Sequence, residues 1–224
     1  MNVTEAVRSR RSIRAFKSTP VPHEVVSQIL DTARWTPSGC NYQPWEATVL
    51  TGQPLAELQA ILLGSQPDDP PEYRYDLPNA SPVHKERLRL QGHCMYGAMG
   101  VERADASNRA EFTKANLVSF GAPVLLLSHF PKLMGPPQWS DVGMWLQSIM
   151  LLAREAGLDT CPQEYMGMYG RTIKSHLGLS DDTMLFCGLA LGYRDEAAPV
   201  NNFDRPRVAL EDQVRFLGFE TVPA

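Results

Sequence analysis

Two nearly unbroken apolar segments constrain the fold of this chain more than any other feature. They are "APVLLLSHF" at residues 122–130 and "TMLFCGLALGY" at residues 183–193. A strand with one solvated face alternates apolar and polar residues, whereas a short run this apolar is typical of a strand buried on both faces. "WEATVL" at residues 45–50 is a third candidate strand. Helical stretches separate the three, so we predict an α+β or mixed α/β fold.

Apolar residues at helical spacing predict three helices around these strands. The first begins at Val3 and ends where a cluster of arginines begins. The second lies between Pro22 and Thr36, and a proline and a glycine follow it. The third covers residues 139–158 and is apolar almost all round. We therefore expect this third helix to be buried in the core or at a subunit interface.

Composition excludes several classes of function. The chain has 224 residues, with 21 Lys and Arg residues, 25 Asp and Glu residues and a net charge of −4. This balance argues against a nucleic-acid partner, which normally requires a basic face. No apolar run approaches the roughly 18 residues that span a bilayer, so we expect no membrane partner. We predict a cytoplasmic protein with a single domain over residues 1–224.

Two segments depart from the regular pattern of helices and strands. Residues 65–87 are rich in proline and polar residues, and we predict that they form a long excursion loop over a site. Residues 195–224 have the character of an extended C-terminal arm, in which Arg205 and Arg207 lie close together. Apolar residues in this arm are spaced for docking onto another surface.

Side chains that could act as nucleophiles or metal ligands lack suitable partners in the sequence. There is no GxSxG elbow, no GxGxxG after a strand and no phosphate-binding loop, and the histidines stand in no catalytic context. Cys40 is a weak candidate nucleophile because no basic residue lies near it in sequence. The four cysteines have no CxxC pair and no histidine at metal spacing, which predicts reduced thiols without a disulfide or zinc site.

The stretch "SRRSIRAF" concentrates positive charge in an otherwise slightly acidic chain. Arg10, Arg11 and Arg14 surround Ser12, and guanidinium groups match the geometry of phosphate oxygens. The segment is therefore a candidate phosphate site. Basic residues near a helix C-terminus are also favourable against the helix dipole and usually face water. Both interpretations remain open from these residues alone.

Two further segments could bind a ligand or could simply connect elements. In "TPSGCNYQPW", Gly39 is free to take a positive φ, and polar groups of Ser38, Asn41 and Gln43 could contact the edge of a planar heterocycle. In "GLDTCPQEYMG" a proline fixes the chain, and neighbouring backbone amides could point at a ligand. Each segment on its own is equally consistent with an ordinary connection.

The joint order of these motifs carries more information than any one of them. "RRSIR" is followed by "TPSGCNYQPWEATVL", then by "DVGMWLQSIMLLAREAGLDTCPQ", and finally by "LGY" and "RPRVALED". This series resembles the FMN-dependent nitroreductase family over nearly all the chain. The resemblance implies a three-layer α+β sandwich, with a central, mainly antiparallel sheet wrapped by helices. It also implies an intertwined homodimer with FMN sites at the subunit interface.

The resemblance assigns roles at the FMN phosphate to two groups of arginines. Arg10 and Ser12 would contact the phosphate, Arg11 would support them, and Arg14 would lie nearer the ribityl chain or the pyrimidine edge. Arg205 and Arg207 form the C-terminal pair, and both are candidates to bind the phosphate. Arg207 aligns better with the family motif than Arg205 does.

The resemblance places two other segments at the flavin ring. The partner subunit would supply the first, whose members are Pro37, Ser38, Asn41 and Gln43. In the second, Pro162 and Gln163 would pack on the ring, and a backbone N–H near Glu164 would face flavin N5. Contacts with the acceptor are less determined, and the candidate substrate residues are Cys40, Tyr42 and Trp139.

The resemblance also implies the reaction. NAD(P)H would donate a hydride to the flavin and leave, and a nitroaromatic, quinone or similar small aromatic acceptor would take its place in a ping-pong cycle. No side-chain nucleophile or general base is required. Alternatives are a reductive dehalogenase or ene-type flavin reductase, a flavin-binding protein without significant turnover, and a helical interaction domain whose arginines face solvent.

Overall fold

The computed structural model of the chain describes residues 1–73, 81–102 and 106–219. The strands are β1 (Glu46–Thr51), β2 (Val124–Pro131), β3 (Asp159–Gln163) and β4 (Thr183–Gly192). The α-helices are α1 (Val3–Ser9), α2 (His23–Ala33), α3 (Gly52–Leu63), α4 (Pro82–Ala98), α5 (Ala106–Lys114), α6 (Pro136–Glu155) and α7 (Gly170–Leu177). Short 3-10 helices cover Gly39–Asn41, Ser119–Gly121, Glu164–Tyr169, Pro199–Asn201 and Leu210–Asp212.

The strands form one antiparallel sheet in the order β1-β2-β4-β3. The two apolar strands β2 and β4 therefore lie in the centre, and β1 and β3 are the edges. All residues of β2 except Pro131 are buried. This position explains why the central strands are apolar on both faces, as the sequence predicts.

Alternate residues of β2 enter two different hydrophobic cores. Leu126 and Phe130 pack in a core with α2 and α6, whereas Leu125 and Leu127 pack in a core with α3 and α7. Since successive strand residues point to opposite faces, one strand contributes to both helical layers. The predicted three-layer α+β sandwich is confirmed.

Two segments that the sequence pattern favours as connections contain regular structure that includes a proline. The segment "GLDTCPQEYMG" contains the strand β3, which accommodates Pro162 because an edge strand can do without one N–H group. Helix α4 begins at Pro82, inside the predicted excursion of residues 65–87. Proline is favourable at the first position of a helix, where its missing N–H has no partner to lose. Residues 74–80 of the excursion lie outside the described residues.

The first part of the excursion is fastened to the segment that follows β3. The main-chain N–H of Asp68 donates to the Met168 carbonyl at 2.7 Å, and the Asp68 carboxylate accepts from the Arg171 N–H at 2.8 Å. The Glu72 carboxylate contacts Lys174, and both side chains are buried. We call residues 68–73 the clasp, because they attach the excursion to the core.

Tyr73 of the clasp satisfies an irregularity in the central strand β4. Strand β4 has one residue more than β2 at Phe186, since Ser128 pairs with Cys187 and His129 pairs with Leu185. Such a bulge leaves the extra residue out of the ladder. The Tyr73 hydroxyl donates to the Phe186 carbonyl at 2.7 Å, which replaces the missing hydrogen bond.

The buried pair of Glu72 and Lys174 generates a stability prediction. Lys174 is only 2% exposed, so Glu72→Ala leaves an ammonium group in the core without its carboxylate. We expect this variant to lose about 3 kcal/mol of the free energy of unfolding, measured by urea denaturation. As a control, Glu196→Ala removes the partner of Lys17 in an exposed ion pair. It should leave the midpoint nearly unchanged, and equal effects of the two substitutions would contradict the prediction.

Candidate active site

The arginine segment, residues 10–14, runs alongside the edge strand β3. Ser12 forms a parallel bridge with Thr160, and the Ile13 N–H donates to the Thr160 carbonyl at 3.0 Å. Ile13 is fully buried, whereas its neighbours in the segment are half-buried. The apolar side chain therefore fixes a segment whose polar residues stay close to the surface.

Asn201 holds the end of the arginine segment, and the sequence analysis did not select it. Its side-chain oxygen accepts from the Arg14 N–H at 2.8 Å, and its amide nitrogen donates to the carbonyls of Ala15 at 2.8 Å and Asp195 at 2.9 Å. Asn201 is fully buried. The dipeptide Asn201-Asn202 just before the C-terminal arginine pair is the one sequence signal that could have indicated it.

Arg11 and Arg205 join the two ends of the described chain. The Arg205 guanidinium donates to the carbonyl of Arg10 and, at 2.8 Å, to that of Arg8. These carbonyls lie at the C-terminus of α1, where helix carbonyls lack intrahelical partners. The Arg11 guanidinium donates to the Phe203 carbonyl and lies 5.4 Å from the centroid of the Phe203 ring. Both guanidinium groups are therefore partly committed to the main chain.

The guanidinium groups of Arg10 and Arg207 are less committed to main-chain carbonyls than those of Arg11 and Arg205. Within the part of the chain that the structure describes, the Arg10 guanidinium has no hydrogen bond or ion pair, and that of Arg207 donates to the adjacent Pro206 carbonyl at 3.0 Å. Burial lowers the pKa of Arg10, and the positive charge of Arg207 lowers it further. Burial also lowers the pKa of Arg205, followed by the charges of Arg11, Arg10 and Arg207. The four cations repel one another, so an anion bound among them would be stabilised.

Asp159 forms ion pairs with two neighbouring arginines and, of these four, opposes the lowered pKa of Arg11 only through its charge, without a direct contact. Its buried carboxylate accepts from Arg194 through two contacts of 2.6 Å and from Arg154 at 2.9 Å. The hydrogen bond to Asp159 raises the pKa of Arg194. Among the described residues, no salt bridge reaches Arg10, Arg11, Arg205 or Arg207 in this way. The sequence analysis missed Asp159, whose position before "TCPQE" was its only signal.

The residues after Thr160 continue the same edge of the sheet. Pro162 is half-buried, and Gln163 is 2% exposed. The Gln163 side-chain amide donates to the Asn116 carbonyl at 2.8 Å. Glu164 is exposed and begins a 3-10 helix. The structure thus brings residues 160–164 next to the arginine segment.

The loop of residues 36–45 is fixed to α6. The Thr36 hydroxyl donates to the Ser148 hydroxyl at 2.7 Å, and the Gly39 N–H donates to the Asp141 carboxylate at 3.2 Å. Asp141 is buried. Pro37 lies between these two anchors and is exposed.

The backbone of this loop differs from the prediction. Gly39 has no positive φ; instead Cys40 has φ 49°, Asn41 has φ 56° and Gln43 has φ 46°. The Ser38 hydroxyl accepts from the Gln43 N–H at 2.9 Å, and the Gln43 side chain donates to the Asn41 carbonyl at 3.1 Å. These local hydrogen bonds help to hold residues that rarely adopt a left-handed backbone.

The loop and the arginine segment lie at opposite edges of the sheet. The loop leads into β1, the arginine segment lies beside β3, and β2 and β4 stand between them. Three strand spacings separate the two edges by roughly 14 Å within one chain. The loop and the arginine segment are therefore separate surfaces within one chain.

The three candidate substrate residues are not brought together. Cys40 and Tyr42 are exposed on the loop. Trp139 packs in an aromatic cluster, 4.9 Å from the ring centroid of Phe130 and 5.5 Å from that of Phe186, and its N–H donates to the Met134 carbonyl. This packing favours a role in the core, so Trp139 is a poor candidate for a substrate contact.

No side chain near the arginine segment is suited to nucleophilic catalysis. Burial raises the pKa of Cys161 to about 11, although Arg14, Arg10 and a hydrogen bond with Ser12 oppose this effect. The thiol therefore stays protonated at neutral pH. A search of the described residues found no cluster of three metal-binding side chains and no helix long and apolar enough to cross a membrane. The site offers cations, hydroxyl groups and main-chain amides, which bind an anionic cofactor rather than activate a nucleophile.

Comparison with known proteins identifies the family. The model of the nitroreductase family matches residues 7–193. The chain belongs to the nitroreductase family. The match extends from α1 to the end of β4, and so includes the arginine segment, the loop and β3.

Similar proteins in this family span nearly the whole chain. A 4-nitrobenzoate reductase from Pseudomonas putida is 38% identical over 96% of this chain and 95% of its own length. The crystal structure of an FMN and NADPH-dependent nitroreductase, NfnB from Sphigopyxis sp. strain HMH, has 42% identity and a TM-score of 0.93, covering 98% of this chain and all of its own. The FMN-dependent NfnB from Mycobacterium smegmatis, solved in complex with NADPH, has 27% identity and a TM-score of 0.90, covering 96% of this chain and 97% of its own.

The different bonding of Arg205 and Arg207 predicts different effects on stability. Arg205→Ala removes two hydrogen bonds that cap α1, and we expect it to lower the free energy of unfolding by about 2 kcal/mol. Arg207→Ala serves as the matched control, because its guanidinium contacts only an adjacent carbonyl, and it should change stability little. Denaturant unfolding of the two apoproteins measures the difference. Equal stabilities would contradict the structural role of Arg205.

Proposed function

We propose that this chain is an FMN-dependent oxidoreductase that uses NADPH to reduce nitroaromatic compounds. Its membership of the nitroreductase family establishes the class of fold, and the relatives described above include a 4-nitrobenzoate reductase and FMN- and NADPH-dependent enzymes. The observation that carries the proposal in the chain itself is the group of arginines beside β3 that repel one another and have no salt bridge within the described residues.

The residues present fit the phosphate of FMN. Arg10 and Arg207 have guanidinium groups available for an anion, and Ser12 adds a hydroxyl beside them. A dianion in a half-buried site requires several charge-assisted hydrogen bonds, which these residues can supply. In this proposal Arg11 and Arg205 act mainly by holding the main chain in place, and Arg14 lies toward the ribityl chain or the pyrimidine edge.

The flavin supplies the redox chemistry when it is bound, by accepting a hydride from NADPH and passing it to the acceptor. The chain's own residues would bind the flavin, orient it and shield it. Pro162 and Gln163 would pack on the ring, and the Glu164 N–H would face its N5 atom. The cation of Arg14 near the pyrimidine edge would stabilise negative charge on the reduced ring. No general base is needed for this reaction.

We further propose that the functional unit is a homodimer in which each site takes its loop from the partner subunit. The separation of the loop and the arginine segment within one chain supports this arrangement. So does the C-terminal arm, where Phe216, Leu217 and Phe219 are 60%, 70% and 78% exposed. Burial of such apolar side chains against a second copy would remove them from water. Ser38, Asn41 and Gln43 would then reach the flavin of the other subunit.

The proposed location is the cytoplasm. All four cysteines are free in the structure, and two of them, Cys161 and Cys187, are fully buried. Reduced thiols are typical of that compartment. NADPH is also available there as the reductant that the proposal requires.

The reaction is tested by the visible spectrum of the purified protein loaded with FMN. Under anaerobic conditions NADPH should bleach the flavin bands, and addition of 4-nitrobenzoate should restore them. A ping-pong cycle predicts that each half of the reaction proceeds separately in this way. Bound flavin that NADPH does not bleach would support a flavin-binding protein without turnover and would contradict the proposed activity.

The phosphate assignment is tested by comparing FMN with riboflavin. Arg10→Ala combined with Arg207→Ala should weaken FMN binding about a hundredfold, since two charge-assisted hydrogen bonds are lost. Riboflavin has no phosphate, so its affinity should not change. Quenching of flavin fluorescence during titration of the apoprotein measures both dissociation constants.

A matched control for this experiment is Arg34→Ala, which removes an exposed arginine just after α2 that pairs with Asp31. It should bind FMN as the unmodified chain does. Equal losses of FMN and riboflavin affinity in the double variant would show that the arginines hold the fold instead of the phosphate.

A further inference from the structure

We propose that the buried side chain of Gln163 is a positioning residue, which sets the main chain of residues 162–164 against the flavin ring. The proposal rests on the proposed function, because it takes this segment to lie beside FMN. It adds a role for the side-chain amide, which is buried and donates to the Asn116 carbonyl.

The edge of the sheet loses its main-chain support just before the flavin-facing residues. The arginine segment contacts β3 through Ser12 and Ile13, and its main-chain hydrogen bonding to β3 ends at Thr160 among the described residues. Pro162 has no N–H group to donate. On the inner side, the ladder with β4 ends at the pair of Gln163 and Gly188.

The Gln163 side chain supplies the missing support. Its amide nitrogen donates to the Asn116 carbonyl at 2.8 Å. Among the described residues, no other segment makes a main-chain hydrogen bond to residues 161–163 on the outer edge. The ladder with β4 holds the inner side of this end of β3, and the Gln163 side chain provides a hydrogen bond beyond that ladder.

Asn116 is a rigid acceptor. Its main-chain N–H and its side-chain amide both donate to the Thr113 carbonyl at 3.1 Å, which ties it to the end of α5. Its carbonyl also accepts from the Ser119 N–H at 3.0 Å. The next residue, Leu117, is buried in the core with α3 and α7. The carbonyl that accepts from Gln163 is thus held in place by the hydrogen bonds of Asn116 to Thr113, by the Ser119 N–H and by the burial of Leu117.

Stability alone does not account for a glutamine at this position. Gln163 is 2% exposed, and within the described residues its side-chain oxygen is buried without a hydrogen-bond partner. A buried polar atom without a partner destabilises the folded state. A methionine of similar length would fill the same space without that penalty. What glutamine adds is a directional bond to Asn116.

The chain changes direction at Gln163, so its position controls the next peptide group. Gln163 has φ −128° and ψ 80°, and the 3-10 helix begins at Glu164. A rotation at Gln163 turns the N–H of Glu164, which is the group expected to face flavin N5. Loss of the Asn116 contact would thereby misalign a donor that Gln163 itself does not touch.

Gln163→Met tests the proposal, because it keeps the length of the side chain and removes its donor. We expect its dissociation constant for FMN to rise about tenfold, as for the loss of one hydrogen bond at the ring. Riboflavin affinity should fall by the same factor, since the phosphate is not involved. The circular dichroism of the bound flavin should also change, because it reports the surroundings of the ring.

The control is Tyr73→Phe, which removes a side-chain hydrogen bond of similar length to a main-chain carbonyl elsewhere in the core. It should reduce thermal stability and leave the affinity for flavin and the flavin circular dichroism unchanged. If Gln163→Met behaves like Tyr73→Phe in all three measurements, Gln163 has a structural role only and the proposal is overturned.

Gln163→Glu provides a second test that does not depend on the methionine variant folding. A protonated glutamic acid can donate to the Asn116 carbonyl, whereas an ionised carboxylate cannot. Burial raises the pKa of such a carboxyl group, so its FMN affinity relative to the unmodified chain should recover as the pH falls. A relative affinity that stays low at every pH would overturn the proposal. If the unmodified chain fails to bind FMN at all, the proposed function fails, and the two failures are therefore distinguishable.

Discussion

Burial of β2 and β4 on both faces is the constraint on which the rest of the molecule depends. Two central strands of apolar residues require a helical layer on each side, and α2 with α6 and α3 with α7 provide the two layers. Both faces of the sheet are then occupied by packing. Polar chemistry has to be placed at the edges, where main-chain groups are still available. The arginine segment beside β3 and the loop before β1 use these two edges.

The arginine segment shows how a fold holds several like charges close together. Asp159 forms ion pairs with Arg154 and Arg194 next to the site, and Arg11 and Arg205 place their charges against main-chain carbonyls. Each of these contacts offsets part of the repulsion. The remaining positive charge is concentrated at Arg10 and Arg207, and it favours the binding of an anion. The same residues thus stabilise the fold and create its electrostatic preference.

Sequence patterns predicted what depends on periodicity and failed where tertiary contacts decide. The apolar runs of β2 and β4 and the amphipathic face of α2 follow from local spacing. Strand β3 does not, because Pro162 and its short length match a connection as well as an edge strand. At the site, the clustered arginines can be recognised directly in the sequence. Asn201, Asp159 and Asn116 each have a partner that is distant in sequence. The separations are 187 residues for Asn201 with Arg14, 35 for Asp159 with Arg194 and 47 for Asn116 with Gln163, and no local pattern reveals these contacts.

The contacts that complete the arginine segment also determine when it can form during synthesis. Three hydrogen bonds join this segment and α1 to the C-terminal part of the chain. They link Arg14 with Asn201, Arg11 with Phe203 and Arg8 with Arg205, at sequence separations of 187, 192 and 197 residues. Ribosomes release a chain from its N-terminus, so α1 and its arginines emerge long before their partners. The cation cluster can therefore assemble only after Arg205 has left the ribosome. Until then a nascent chain has Arg10, Arg11 and Arg14 but lacks Arg207 and the C-terminal contacts that hold the arginine segment.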